Sequence, residues 1–156
     1  MGETDFASAA TLRELGDRMV AFLSHKTAFD RLNIGLIDRE AYEFIDVYVY
    51  GQNVAGRETG HRRTLTGTVV EAAIAAGDGT WAGGDEETLL SRFPRFGPVL
   101  ESGIRAMLAV PLRRDDRVVA ALVLASSDPD AFDDEVLQLA RWVGEAASLR
   151  IVDLTG

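Results

Sequence analysis

The chain has 156 residues, 47% of them hydrophobic and 26% charged, with 16 basic against 25 acidic side chains and a formal charge of −9. That length suits one folded unit, and the acidic balance opposes phosphate backbones and anionic membrane surfaces, so neither nucleic acid nor membrane is an expected partner. Cysteine is absent and histidine is limited to His25 and His61, which removes disulfides, thiolate metal sites, thiol nucleophiles and thioether-linked cofactors.

Residues 1–10 are small and polar and read as a flexible tail, leaving 11–156 as one domain. They form neither a basic nor an apolar leader region. No apolar run approaches the roughly 20 residues that span a bilayer, so a cytoplasmic location is expected. Thr11-Leu12-Arg13-Glu14 has the form of a capping box. Leu12, Leu15, Met19, Phe22 and Leu23 then recur at helical spacing, predicting a helix over 11–25. Leu32, Ile34 and Leu36 alternate with Arg31, Asn33 and Gly35, the pattern of a half-buried strand. After a polar turn at 38–41, Phe44–Tyr50 reads as its hairpin partner. Gly51–Gly60 is a loop, and His61–Leu65 a short edge strand.

Thr66-Gly67-Thr68 introduces a short helix that stops at Gly77-Asp78-Gly79. From Gly77 to Gly103 the chain reads as mostly irregular, with a short acidic-capped helix over 85–92. A connection that long in a small domain reads as a lid. Ile104–Leu112 and Val118–Ala125 are apolar strands around a charged turn, and Pro111 suits a strand end or bulge. A long helix runs from Phe132 to Leu154. This order predicts an α+β fold: an antiparallel sheet with helices on one face and a loop and short-helix lid on the other.

Gly103-Ile104-Arg105, running into Val110-Pro111-Leu112, resembles the segment that marks GAF domains. Val118–Leu124 resembles the strand that follows it, and Ala131-Phe132-Asp133-Asp134-Glu135 the entry to the family's last helix. Phe29-Asp30-Arg31 and Gly67-Thr68-Val69-Val70 are similar to the starts of its first strand and central helix. The matches span residues 11–154 in the expected order, and PAS domains share a similar architecture. The resemblance implies a bacterial sensory module, either standing alone or joined in a longer parent protein to a kinase, cyclase or transcription-activator output domain.

The family's known chemistries fit unevenly. Members that bind cyclic nucleotides resemble one another in an Asn-Lys step where this chain reads Ala125-Ser126-Ser127. Bilin attachment and free methionine sulfoxide reduction both require Cys. A haem ligand does not belong at His61, which follows a Gly-rich loop. No enzyme activity and no cofactor are therefore expected. The lid carries Trp81, Phe93 and Phe96 with Arg92 among them. Aromatic walls with a few placed charges make a small-molecule pocket, or the rings plug the core beneath a long loop. Under the pocket reading Tyr50, Arg63 and Thr68 are the next ligand-binding candidates. In the last helix, Val136, Ala140, Val143 and Ala147 follow a near-heptad spacing that reads as a homodimer seam. The alternative is a monomer with a wide core stripe.

Overall fold

A computed structural model describes residues 5–155. Helix α1 (Leu12–Ser24) starts at Thr11, whose hydroxyl accepts from the Glu14 amide at 3.0 Å. Glu14 reaches back in turn and accepts from the Ala10 amide at 3.3 Å, one residue before the cap. Strands β1 (Arg31–Asp38) and β2 (Glu43–Gly51) form the first hairpin, and β3 (Arg62–Thr64) is an edge strand beside β2. Helix α2 (Val69–Ala76) follows. The stretch read as mostly irregular holds the expected short helix, α3 (Glu86–Arg92), and three elements that were not expected: β4 (Thr80–Gly83), a 3-10 turn at Pro94–Phe96 and α4 (Gly97–Glu101). Strands β5 (Ala106–Arg114) and β6 (Arg117–Ser126) form the second hairpin, and α5 (Asp134–Thr155) closes the order.

The sheet is antiparallel in the order β3-β2-β1-β6-β5-β4, so the strands that open and close the two hairpins pair at its centre. Pro111 lies within β5 opposite Ala121, not at its end. It is tolerated because β4 reaches along β5 only to Ala109, and the register shifts just after it, between Leu112 and Arg113.

Alternation along the strands feeds two cores. On one face Leu32, Ile34, Leu108, Val110, Leu122 and Leu124 meet Leu15, Met19 and Leu23 of α1 and Val143, Ala147 and Ile151 of α5. The approach of α1 is close: a Cβ at Gly16 would run into the Tyr48 ring. Phe6 and Ala9 are buried in the same core, so the segment read as a tail contributes packing; residues 1–4 of it lie outside the described residues. On the other face Met107, Ala109, Ala121 and Val123 meet α2 and the lid residues Leu89, Phe93, Phe96 and Val99.

The supposed dimer seam belongs to the first core. Ala140, Val143 and Ala147 are fully buried and Val136 packs against them, within this one chain. A near-heptad stripe and a sheet-facing stripe share the same spacing, and the sheet claims it here. What α5 leaves outward is Trp142 and Leu149, 50% and 62% exposed. The Trp142 ring lies against Phe22 of α1, centroids 5.5 Å apart.

Candidate functional site

The lid face of β1 carries Arg31 and Asn33, opposite Ala125 and Val123 of β6. Both are buried. Asp46 of β2 joins them because of an irregularity in the ladder. Ile34 pairs with Tyr48 and Gly35 with Asp46, leaving Val47 unpaired. This β-bulge lets Tyr48 join the helix-face core while Asp46, two residues earlier, is wholly buried beside Asn33. Re-aiming one side chain is what such bulges accomplish.

Asp46 is the acceptor at the centre of a polar cluster. Asn33 Nδ2 donates to its Oδ1 at 2.9 Å, and Arg63 of β3 donates to both carboxylate oxygens in an ion pair. The Arg63 guanidinium also lies 5.0 Å from the centre of the Phe44 ring. Among the described residues no carboxylate pairs with Arg31. It donates to the carbonyls of Gln52 at 2.8 Å and Arg57 at 2.6 Å. Arg57, in the loop between β2 and β3, donates to the Arg95 carbonyl at 3.0 Å and so ties that loop to the lid. Burial, more than the neighbouring Arg63, lowers the pKa of Arg57 to about 10. Burial likewise lowers Arg31, partly offset by Asp46. Both guanidiniums thus lie in surroundings that disfavour their charge.

These groups line a cavity between the sheet, the β2–β3 loop and the start of α2. Arg31, Asn33, Arg57, Arg63 and Thr68 supply its polar lining, and Val54, Val70, Val99, Met107 and Val123 its aliphatic walls. Its free volume of ≈ 20 Å³ is room for about one water. Thr68 caps α2: its hydroxyl accepts from the Glu71 amide at 3.2 Å and donates to the Leu65 carbonyl at 2.7 Å.

Of the seven residues singled out from the sequence, Arg63 and Thr68 are brought together here. The other five are not. Phe93 and Phe96 are buried beneath the lid in an edge-on pair with centroids 5.8 Å apart, as the plug reading has it. Trp81 is separated from them by the sheet itself. On β4 it alternates with Ala82, so Ala82 joins the lid core while Trp81 packs on the helix-face core and donates to Asp134 at 3.4 Å. The three rings therefore do not enclose one pocket. Arg92 is exposed at the end of α3 with its guanidinium 4.9 Å from the Phe93 ring centre. Tyr50 is exposed at the end of β2, against Phe29. Arg31, Asn33, Asp46 and Arg57 were missed; Arg31 and Asn33 carried a signal, polar residues at alternate positions of a strand with apolar neighbours, whereas Asp46 and the loop residue Arg57 carried none.

Among the described residues no group of His, Cys, Asp and Glu could hold a metal ion, and no helix is long and apolar enough to cross a membrane.

Comparison with known proteins agrees with this architecture. A family model described as GAF domain matches residues 11–151. No curated protein matches the chain. Among solved structures, the GAF domain of a two-component sensor histidine kinase from Bacillus halodurans is similar at a TM-score of 0.71 and 14% identity, covering 94% of this chain and 98% of that one. The GAF domain of an Acinetobacter phosphoenolpyruvate-protein phosphotransferase gives 0.71 and 16%, covering 99% and 91%. A type II free methionine-R-sulfoxide reductase from Thermoplasma acidophilum gives 0.67 and 14%, covering 98% and 96%.

Proposed function

The chain belongs to the GAF domain family, and from that premise we propose that it is a cytoplasmic regulatory module that binds a small molecule under its lid and passes the event to an attached output domain. The observation that carries this reading is the cavity of Arg31, Arg57 and Arg63, whose polar groups converge between the sheet, the β2–β3 loop and the lid. Placed charges on aliphatic walls are the make-up of a small-molecule site. As the space has room for only about one water, binding would require the β2–β3 loop and lid to open. A ligand preferring the open arrangement would shift the population toward it. Catalysis is not part of the reading. The reductase among the structural neighbours shares the fold, but this sequence has no cysteine for thiol chemistry. A cyclic nucleotide is a poorer fit, since no aromatic ring lines the cavity for a base to stack on.

The test is a thermal-shift screen of the whole chain against charged and uncharged metabolites, followed by amide NMR of any hit. We expect a hit that raises the melting temperature and perturbs residues 52–70. A screen in which nothing does so would leave the alternative, a ligand-free dimerisation module.

A homodimer is the second part of the proposal, now through the outward face of α1 and α5 where Phe22, Trp142 and Leu149 lie. Exposed aromatic and aliphatic side chains grouped on one surface favour association. Trp142→Glu should sediment as a monomer and keep its fold, whereas a wild-type chain monomeric at high micromolar concentration would overturn the dimer.

A further inference from the structure

We infer that the ligand of the arginine cavity is a short aliphatic dicarboxylate, held by Arg31 and Arg57 while Arg63 stays paired with Asp46. This rests on the proposal that a small molecule binds under the lid. Three guanidiniums reach the cavity and one buried carboxylate faces them, leaving two positive charges in excess. A second carboxylate, Glu58, also acts on Arg31, but it is about half exposed and accepts from the Arg57 amide. The two guanidiniums in excess are the two whose acceptors are neutral backbone carbonyls: Gln52 and Arg57 for Arg31, Arg95 for Arg57. They are also the two whose charge burial disfavours. A carboxylate in place of each carbonyl would make charge-assisted bonds about twice as strong, and the planar fork of arginine matches it in two-point geometry.

The walls choose the rest of the molecule. Val54, Val70, Val99 and Met107 offer aliphatic contact and no ring, which suits a chain of a few methylenes between the two charged ends. Arg31 and Arg57 come from different elements, β1 and the β2–β3 loop, and hold different acceptors, so a ligand that replaces the acceptors of both is best served by a carboxylate at each end. Exchange of acceptors would also remove one of the ties between the loop and the lid, the Arg57–Arg95 bond, and leave the bond from Gln52 to the Ser102 carbonyl in place.

Succinate is the probe, titrated into the full chain and followed by amide NMR and calorimetry beside acetate, inorganic phosphate and uncharged succinamide. Succinate should perturb residues 52–70 and bind at least about tenfold more tightly than the other three. Arg57→Gln, on a loop, should keep the fold and weaken succinate about tenfold or more. If that variant does not fold, the succinamide comparison on the wild-type chain carries the same test of charge. Phosphate or acetate binding as tightly as succinate would overturn the two-carboxylate assignment, and succinamide doing so would overturn the role of charge. If none of the four perturbs these residues, the dicarboxylate fails. The broader sensor reading fails separately, only if the metabolite screen also finds no ligand.

Discussion

At Asp46 a single carboxylate supports a whole polar cluster. It is fully buried, accepts from Asn33 and pairs with Arg63, which is itself mostly covered. Removing one partner of a buried pair strands the other charge, so Asp46→Ala should cost about 3–5 kcal/mol, read as a lowered urea midpoint. Glu71 is a milder case. The Tyr42 hydroxyl, and then the Gly67 amide, donate to it and lower its pKa from the ordinary 4.5. Its folded pKa is depressed, so its stabilisation is complete above pH 4.5 and is lost as pH falls through the lower folded value. Tyr42→Phe should flatten that acid limb. At neutral pH it should cost only about 0.5 kcal/mol, because solvent screens so exposed a pair. The arginine cavity was the hardest feature to read in the sequence for a reason located in single residues. Arg31 and Asn33 alternate with Leu32 and Ile34, and alternation normally means that one face meets water. Here both faces are covered, so the polar positions mark an interior site. Nothing local to Asp46 discloses the unpaired Val47 that redirects it.

Elements with long periodic patterns were legible: α1 and α5 begin and end within about two residues of where spacing and capping place them, and both hairpins stand. Strand β4 was not, because four residues carry no period and its identity comes from pairing with β5, from Thr80↔Ala109 to Gly83↔Ala106. That omission also misplaced Trp81, which a loop would have left free to join Phe93. The faces of α5 were misassigned because stripe spacing does not say which surface it meets. Val143→Glu should therefore unfold the chain, seen as loss of the cooperative melting transition, since it puts a carboxylate against the sheet. On α1 the packing reverses a helix-propensity expectation. Gly16→Ala would favour the helix by up to about 1 kcal/mol, yet its methyl meets the Tyr48 ring, which is held by a 2.8 Å bond from its hydroxyl to Asp17. Net destabilisation of about 1–3 kcal/mol is expected from denaturant unfolding.

For the whole molecule, the two cores divide the work. The helix-face core joins the first and last helices, and Arg150 of α5 donates to the Ala9 carbonyl at 2.8 Å. The lid-face core holds shorter elements over the polar cavity. Shorter elements with fewer buried neighbours are where local opening is cheapest, which fits a binding face opposite a rigid one. Kinetics should separate them. Leu122→Ala, at the central pairing with Ile34, should slow folding, whereas Leu89→Ala in α3 should mainly speed unfolding; chevron plots of the two variants check this.

The central pairing has a further consequence during synthesis. Arg31 pairs with Ala125 and Leu36 with Ala120, so β1 cannot gain its inner neighbour until nearly all of the intervening chain has been made. At roughly 5–20 residues per second, the β1–β2 hairpin waits for several seconds with an open edge carrying Leu32, Ile34 and Leu36. An unpaired apolar edge invites pairing with another nascent chain. The same strand order that later forms the floor of the cavity thus leaves the first hairpin open to such pairing until β6 leaves the ribosome.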